Sequence, residues 1–218
     1  MKLLERGSGG GAAFGVGDLG GLRGQTGTTI VELLVVSALG LLVVLAGVQL
    51  LKTHAALALQ VQADVGASGD AAWALRTTLH DIRHAGADPL RRGIAAFAMA
   101  RPDVVITQRD LDGDGLVDPR SEERVEVGWT DAGGGRLTRR VGAQAMAVVS
   151  GVSVGGFRLR YYDGDGVELV ASGGLRKEDR ARIRRVEIDL EVVERIGTVT
   201  GLASLAGSAS VRVREGRR

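Results

Sequence analysis

Three groups of residues in this chain have types and spacings that could do chemistry. The densest is Asp110-Leu111-Asp112-Gly113-Asp114-Gly115-Leu116-Val117-Asp118. Counted from Asp110, carboxylates stand at positions one, three, five and nine. Gly115 takes position six, where an EF-hand-type loop turns sharply, and the Leu116 carbonyl supplies position seven. Hard oxygen donors at this spacing select calcium over zinc or magnesium. Ser121 takes position twelve, so closure falls to Glu122, Glu123 or water. The plainer reading is an acidic loop kept soluble by its aspartates, yet carboxylates this close repel one another strongly unless a cation intervenes.

The second group is Leu79-His80-Asp81-Ile82-Arg83-His84, which sets two histidines one helical turn apart, as in a metalloprotease helix. That chemistry needs a glutamate after the first histidine as general base, and a third ligand. Here Asp81 is one methylene short, and His54 is the one other histidine. The spacing predicts His80 and His84 on an exposed helix edge, with Leu79 and Ile82 facing inward. The third group is a lone acid: Glu32 stands near the start of an apolar run that reaches Leu51 and ends at Lys52. A carboxylate in hydrocarbon costs about 2.5 to 3.5 kcal/mol, so Glu32 calls for a partner.

These groups need elements to hold them. A helix over 30–51 would be about 33 Å long, enough to cross a hydrocarbon core of about 30 Å. Ser37, Gly40 and Gly47 would let other helices approach it closely. Beyond Lys52 the spacing of Leu57, Val61 and Val65, then Ala72, Leu75, Leu79 and Ile82, predicts that the helix continues with these residues on its packed face. Gly66 and Gly69 weaken its middle, and Gly86 followed by Pro89 predicts its end. After Pro89 the pattern changes to short alternating runs over 104–109, 124–129, 136–141, 157–162 and 184–193, with a further strand over 208–214. Val186-Glu187-Ile188-Asp189-Leu190-Glu191-Val192 alternates strictly, which predicts one buried and one wet face. Asp163-Gly164-Asp165-Gly166 reads as a hairpin turn. The fold class is therefore α+β: a long N-terminal helix packed on an antiparallel sheet.

With Gly27-Thr28-Thr29-Ile30-Val31-Glu32-Leu33-Leu34 added, the N-terminal segment resembles that of type IV prepilins and type II secretion pseudopilins. The resemblance implies that a prepilin peptidase cuts between Gly27 and Thr28 and methylates the new amine of Thr28. Thr29 and Glu32 then take the second and fifth mature positions. Glu32 is expected to compensate the Thr28 amine of a neighbouring subunit during assembly. Thr28 stands where the family usually has phenylalanine, and the nearest basic residue, Arg23, sits back from the cut. A cut after Gly24 would instead put Glu32 at the eighth position. The Leu-x-x-Asp/Arg-x-x-Ala-Gly phrase at the end of the helix is similar to that of W-type minor pilins and J-type pseudopilins, and several pseudopilins stabilise sheet loops with calcium. The organisation implied is a cleaved leader over 1–27, a membrane and assembly half-helix over 28–52, a soluble half-helix over 53–86, a β-rich domain over 87–214 and a tail over 215–218. Expected partners are the peptidase, other pilins or pseudopilins, the inner-membrane assembly platform and the membrane itself.

An ordinary secretory signal would place its cleavage site after the apolar run, whereas the Gly-Thr junction precedes it. A simple anchor leaves Glu32 unexplained. The chain has 218 residues and a net charge of +2, which is no nucleic-acid-binding surplus. Arg180, Arg182, Arg184 and Arg185 are expected on a solvated strand or loop face. With no cysteine, the exported domain must be held by core packing or by a metal. Basic residues in the leader favour a cytoplasmic N-terminus and a periplasmic C-terminal domain. Gly15-Val16-Gly17-Asp18-Leu19-Gly20 matches a dinucleotide-binding spacing but follows no predicted strand. Two functional readings from different classes remain. One is a filament subunit, whether of a pilus, a DNA-uptake system or a secretion pseudopilus. The other is a membrane-tethered module, either calcium-binding or a metalloenzyme using His80, Asp81 and His84.

Overall fold

The computed structural model describes residues 29–211. The leader, the Gly27–Thr28 junction, the dinucleotide-like motif and the 215–218 tail all lie outside the described residues. Two compact units divide at Leu50. In the first, helix α1 (Ile30–Arg83) begins, and every side chain from Ile30 to Leu50 is exposed. Thr29 caps it by accepting the Glu32 N–H at 3.2 Å. Among the described residues α1 is the one helix long and apolar enough to cross a membrane. An exposed apolar surface of this extent is compatible with a single-pass anchor.

The second unit starts at Leu51 and holds two antiparallel sheets, so the class is α+β. The first sheet runs in the order β1 (Phe97–Ala100), β2 (Val104–Gln108), β3 (Arg124–Thr130), β4 (Arg136–Val141) and β5 (Gln144–Ser150). The second has the order β7, β6, β8, β9, built from β6 (Val152–Tyr162), β7 (Glu168–Leu169), β8 (Arg185–Ile196) and β9 (Val199–Ser210). A short helix, α2 (Lys177–Arg182), links β7 to β8.

The sequence pattern predicts one sheet, and the division into two happens at Gly151. Its φ is +79°, and a Cβ there would overlap the Val193 carbonyl. The Gly151 N–H donates to the Gly135 carbonyl at 2.9 Å, while its own carbonyl accepts from the Val193 N–H at 2.8 Å. One glycine thus bonds toward both sheets as the chain passes from β5 to β6. The alanine-rich runs of β1, β5 and β9 carry little β propensity, which is why alternation does not disclose β1 or β5. Among the described residues the last strand is Val199–Ser210 and starts well before 208, because β9 pairs with β8 along its whole length, from Ile196↔Val199 to Arg185↔Ser210; residues 212–214 lie outside the described ones. Asp163–Gly166 does turn the chain, into the two-residue β7.

Strand β8 buries Val186, Ile188, Leu190 and Val192 and turns Glu187, Asp189 and Glu191 outward, as its alternation predicts. Its buried row continues across β6 through Phe157, Leu159 and Tyr161. Tyr161 is fully buried, donates its hydroxyl to the Arg101 carbonyl at 2.8 Å and packs edge-on against Phe97. Burial pushes its phenol far above the ordinary tyrosine range.

The packed face of α1 is corrected by the structure. Leu57, Val61 and Val65 are 57%, 61% and 66% exposed, whereas Ala63, Ala67, Ala71 and Ala74 are fully buried. Strand β9 explains this, because it presents Gly201, Ala203, Leu205, Gly207 and Ala209 on its inner face. A Cβ at Gly201 would overlap the backbone of Ala63, and one at Gly207 would come within 2.9 Å of Leu79. At Gly201 the helix backbone lies so close to the strand that no side chain larger than alanine's fits between them, whereas at Gly207 the Leu75 and Leu79 side chains fill the space. Further along, Leu79 and Ile82 enter the core as expected, and α1 ends at Arg83, just before Gly86 at φ +74°.

Candidate functional site

Strands β2 and β3 form a hairpin whose register closes at Gln108↔Arg124, and the acidic loop connects them. Asp110 is buried, and each of its carboxylate oxygens accepts a backbone N–H, from Gly113 at 2.7 Å and Gly115 at 3.0 Å. Both glycines have φ near +80°, the conformation that lets the loop fold back over Asp110. Glu123 is also buried and reaches in from the far end of the loop. Its two oxygens accept the Leu111 and Asp118 N–H groups, both at 2.8 Å. Those N–H groups hold the Glu123 carboxyl below its ordinary value of 4.5. The stabilisation is present above pH 4.5 and is lost as pH falls through the lowered value.

One carboxylate oxygen from each of Asp110, Asp112 and Glu123 lies within 4.8 Å of the others. Among the described residues this is the one cluster of three potential metal-ligating side chains. Of the two glutamates that could close the loop, the fold selects Glu123. Asp114 and Asp118 are not in the cluster. Asp114 accepts the Leu116 N–H at 2.7 Å, and Asp118 accepts the Arg120 N–H at 2.9 Å, each bracing its own turn.

At the end of α1, His80 and His84 are exposed and their rings lie 4.3 Å apart. Asp81 turns the other way. It is 2% exposed and receives a two-point bond from Arg139 on β4, Nε to Oδ2 at 2.7 Å and Nη2 to Oδ1 at 2.9 Å. The hydrogen bond from Arg139 to Asp81 also raises the guanidinium's pKa above its ordinary value. A carboxylate engaged in this way is a tie between helix and sheet, and its Oδ1 also lies 4.0 Å from Nδ1 of the exposed His80.

The arginine group over 180–185 is more engaged than a solvated face. Arg180 donates to the Phe97 and Leu175 carbonyls, at 3.2 and 2.8 Å. Arg182 reaches the buried Asp163 at 2.7 Å, and Arg185 lies 4.3 Å over the Tyr162 ring. Arg184 donates to the Ala181 carbonyl at 2.8 Å.

At the other end of the described chain, Glu32 is exposed in the first turn of α1, three residues after its Thr29 cap. This threonine-to-glutamate spacing is that of a capping box, a signal legible in the sequence, and the threonine half of it is formed. An acid here also faces the positive end of the helix dipole. No protein-family model, curated protein or solved structure matches this chain.

Proposed function

We propose that this chain is a minor pilin or pseudopilin subunit. In this reading it is cut between Gly27 and Thr28 by a prepilin peptidase and held in the inner membrane with its sheet domain in the periplasm. It then joins or primes a filament with related subunits through its apolar helix. The observation that carries this reading is the apolar stretch of α1 over 30–50, exposed throughout, with one acid, Glu32, in its first turn, five residues after Gly27. In lipid that acid needs a cation, and the Thr28 amine of a neighbouring subunit would supply one. The test is the mass of the N-terminal peptide of the protein made with and without the peptidase. A chain that starts at Thr28 and carries one methyl group supports the proposal, and an uncut leader in the presence of the peptidase rejects it.

We further propose that the β2–β3 loop binds calcium through Asp110, Asp112 and Glu123. The donors are all hard oxygens, and two of the three carboxylates are buried, where a cation would offset their mutual repulsion. A free cation at about a hundredfold its dissociation constant stabilises a fold by about 2.7 kcal/mol. Calcium should therefore raise the thermal midpoint of the full chain in detergent, and chelation should reverse the rise. A midpoint that is indifferent to calcium rejects the site.

A further inference from the structure

A groove of about 1270 Å³ opens between the segment that follows α1, strand β1 and helix α2. Arg83, His84, Arg91 and Lys177 line it and are exposed. Among the described residues, the side chains of Arg83, Arg91 and Lys177 have no hydrogen-bond or ion-pair partner. Arg180, the remaining cation of the lining, is occupied by carbonyls of β1 and of the chain before α2. The one acid in the wall, Asp88, is turned to its own loop, where it accepts the Gly93 and Ile94 N–H groups at 2.7 and 3.3 Å. The groove therefore holds several free positive charges with no matching negative ones.

The wall segment carries local costs of its own. Arg91, at φ +56°, is the one residue other than glycine with positive φ among the described residues. The Asp88 Oδ1 atom is buried without a donor. Strained backbone and an unsatisfied acceptor in one short segment are typical of a ligand-binding surface.

We propose that this groove binds an acidic, extended segment of a partner protein. The unpaired cations match carboxylates, and the lining also offers the exposed Ala95 and the half-buried Ile94 and Ala96 to small side chains. A single-stranded nucleic acid fits less well, because such sites stack bases on exposed aromatic rings, and of the two rings in this lining Phe97 is 2% exposed while His84 is held on the His80 carbonyl with its ring 4.3 Å from that of His80. The inference does not depend on filament assembly.

The test uses the full chain in a non-ionic detergent and fluorescence anisotropy of a labelled short peptide that alternates glutamate with valine. The wild-type protein should bind it, and an Arg83→Glu, Lys177→Glu variant should bind about tenfold more weakly or worse, as expected when two attractive contacts become repulsive. Arg91→Gly separates binding from folding. Glycine accepts the positive φ, so thermal stability should hold or rise while peptide affinity drops. Unchanged affinity in the Arg83→Glu, Lys177→Glu variant overturns the site. Equal binding of the peptide with glutamine in place of glutamate overturns the charge match, and tighter binding of single-stranded DNA than of the peptide overturns the partner class.

Discussion

Asp81 has a large share in holding the helix end to the first sheet. Its carboxylate is buried and accepts both of its side-chain hydrogen bonds from Arg139. Removing one partner of such a pair leaves an uncompensated charge, whereas replacing both with apolar groups removes the problem. Arg139→Met should cost roughly 3 kcal/mol in chemical denaturation of the full chain, and Asp81→Leu with Arg139→Met should recover much of that loss. If the single and double variants unfold at the same denaturant concentration as the wild type, the pair has no such role. Asp81 also lies beside a histidine, with its Oδ1 4.0 Å from His80 Nδ1. His80 and His84 stay exposed on the helix edge, while Asp81 and Ile82 between them face the core.

For the elements, the contact between α1 and β9 is closest where the side chains are small. Ala63 meets Gly201 backbone against backbone, and further along Leu75 and Leu79 pack over Gly207. Packing this tight has no room for added methyl groups. Gly201→Val should lower stability by about 1–3 kcal/mol, because its side chain would overlap the Ala63 backbone. Val61→Ala, at a position 61% exposed, should change it by less than about 0.5 kcal/mol. Denaturation midpoints check both, and the reverse order would mean that the aliphatic row of α1 is the packed face after all. The exposed row of Leu57, Val61 and Val65 is instead free of the sheet domain.

Across the whole molecule, the described chain joins an apolar helical segment with no buried residues to a unit with a continuous hydrophobic core. Under the proposed assembly the first segment gains its burial from lipid and from other subunits, and Glu32 supplies its register. Glu32→Ala should therefore reduce filament formation by about tenfold or more, the weight of an interaction of about 1.4 kcal/mol. It should leave the folding of the sheet unit unchanged, because Glu32 lies in the other unit and is exposed. Electron microscopy of filaments beside a thermal melt checks both halves. Normal filaments from the variant would remove the assigned role of Glu32.

Features set by neighbours along the chain were legible in the sequence. The long helix and its stop near Gly86, the alternation of β8 and the turn at Asp163–Gly166 all follow from local periodicity and from glycine's access to positive φ. Asp110 and Asp112 could be picked out by spacing for the same reason. What spacing could not provide was any partner far away in the chain. Arg139 meets Asp81 across 58 residues, Glu123 closes on Leu111 across 12, and Gly201 receives Ala63 from the helix. The face on which α1 packs was decided by how closely β9 lets it approach, a property of the strand that the helix's own sequence does not contain. Local pattern determined the elements, and tertiary packing decided which of their side chains meet, because burial and pairing depend on distances that close only when the chain is folded.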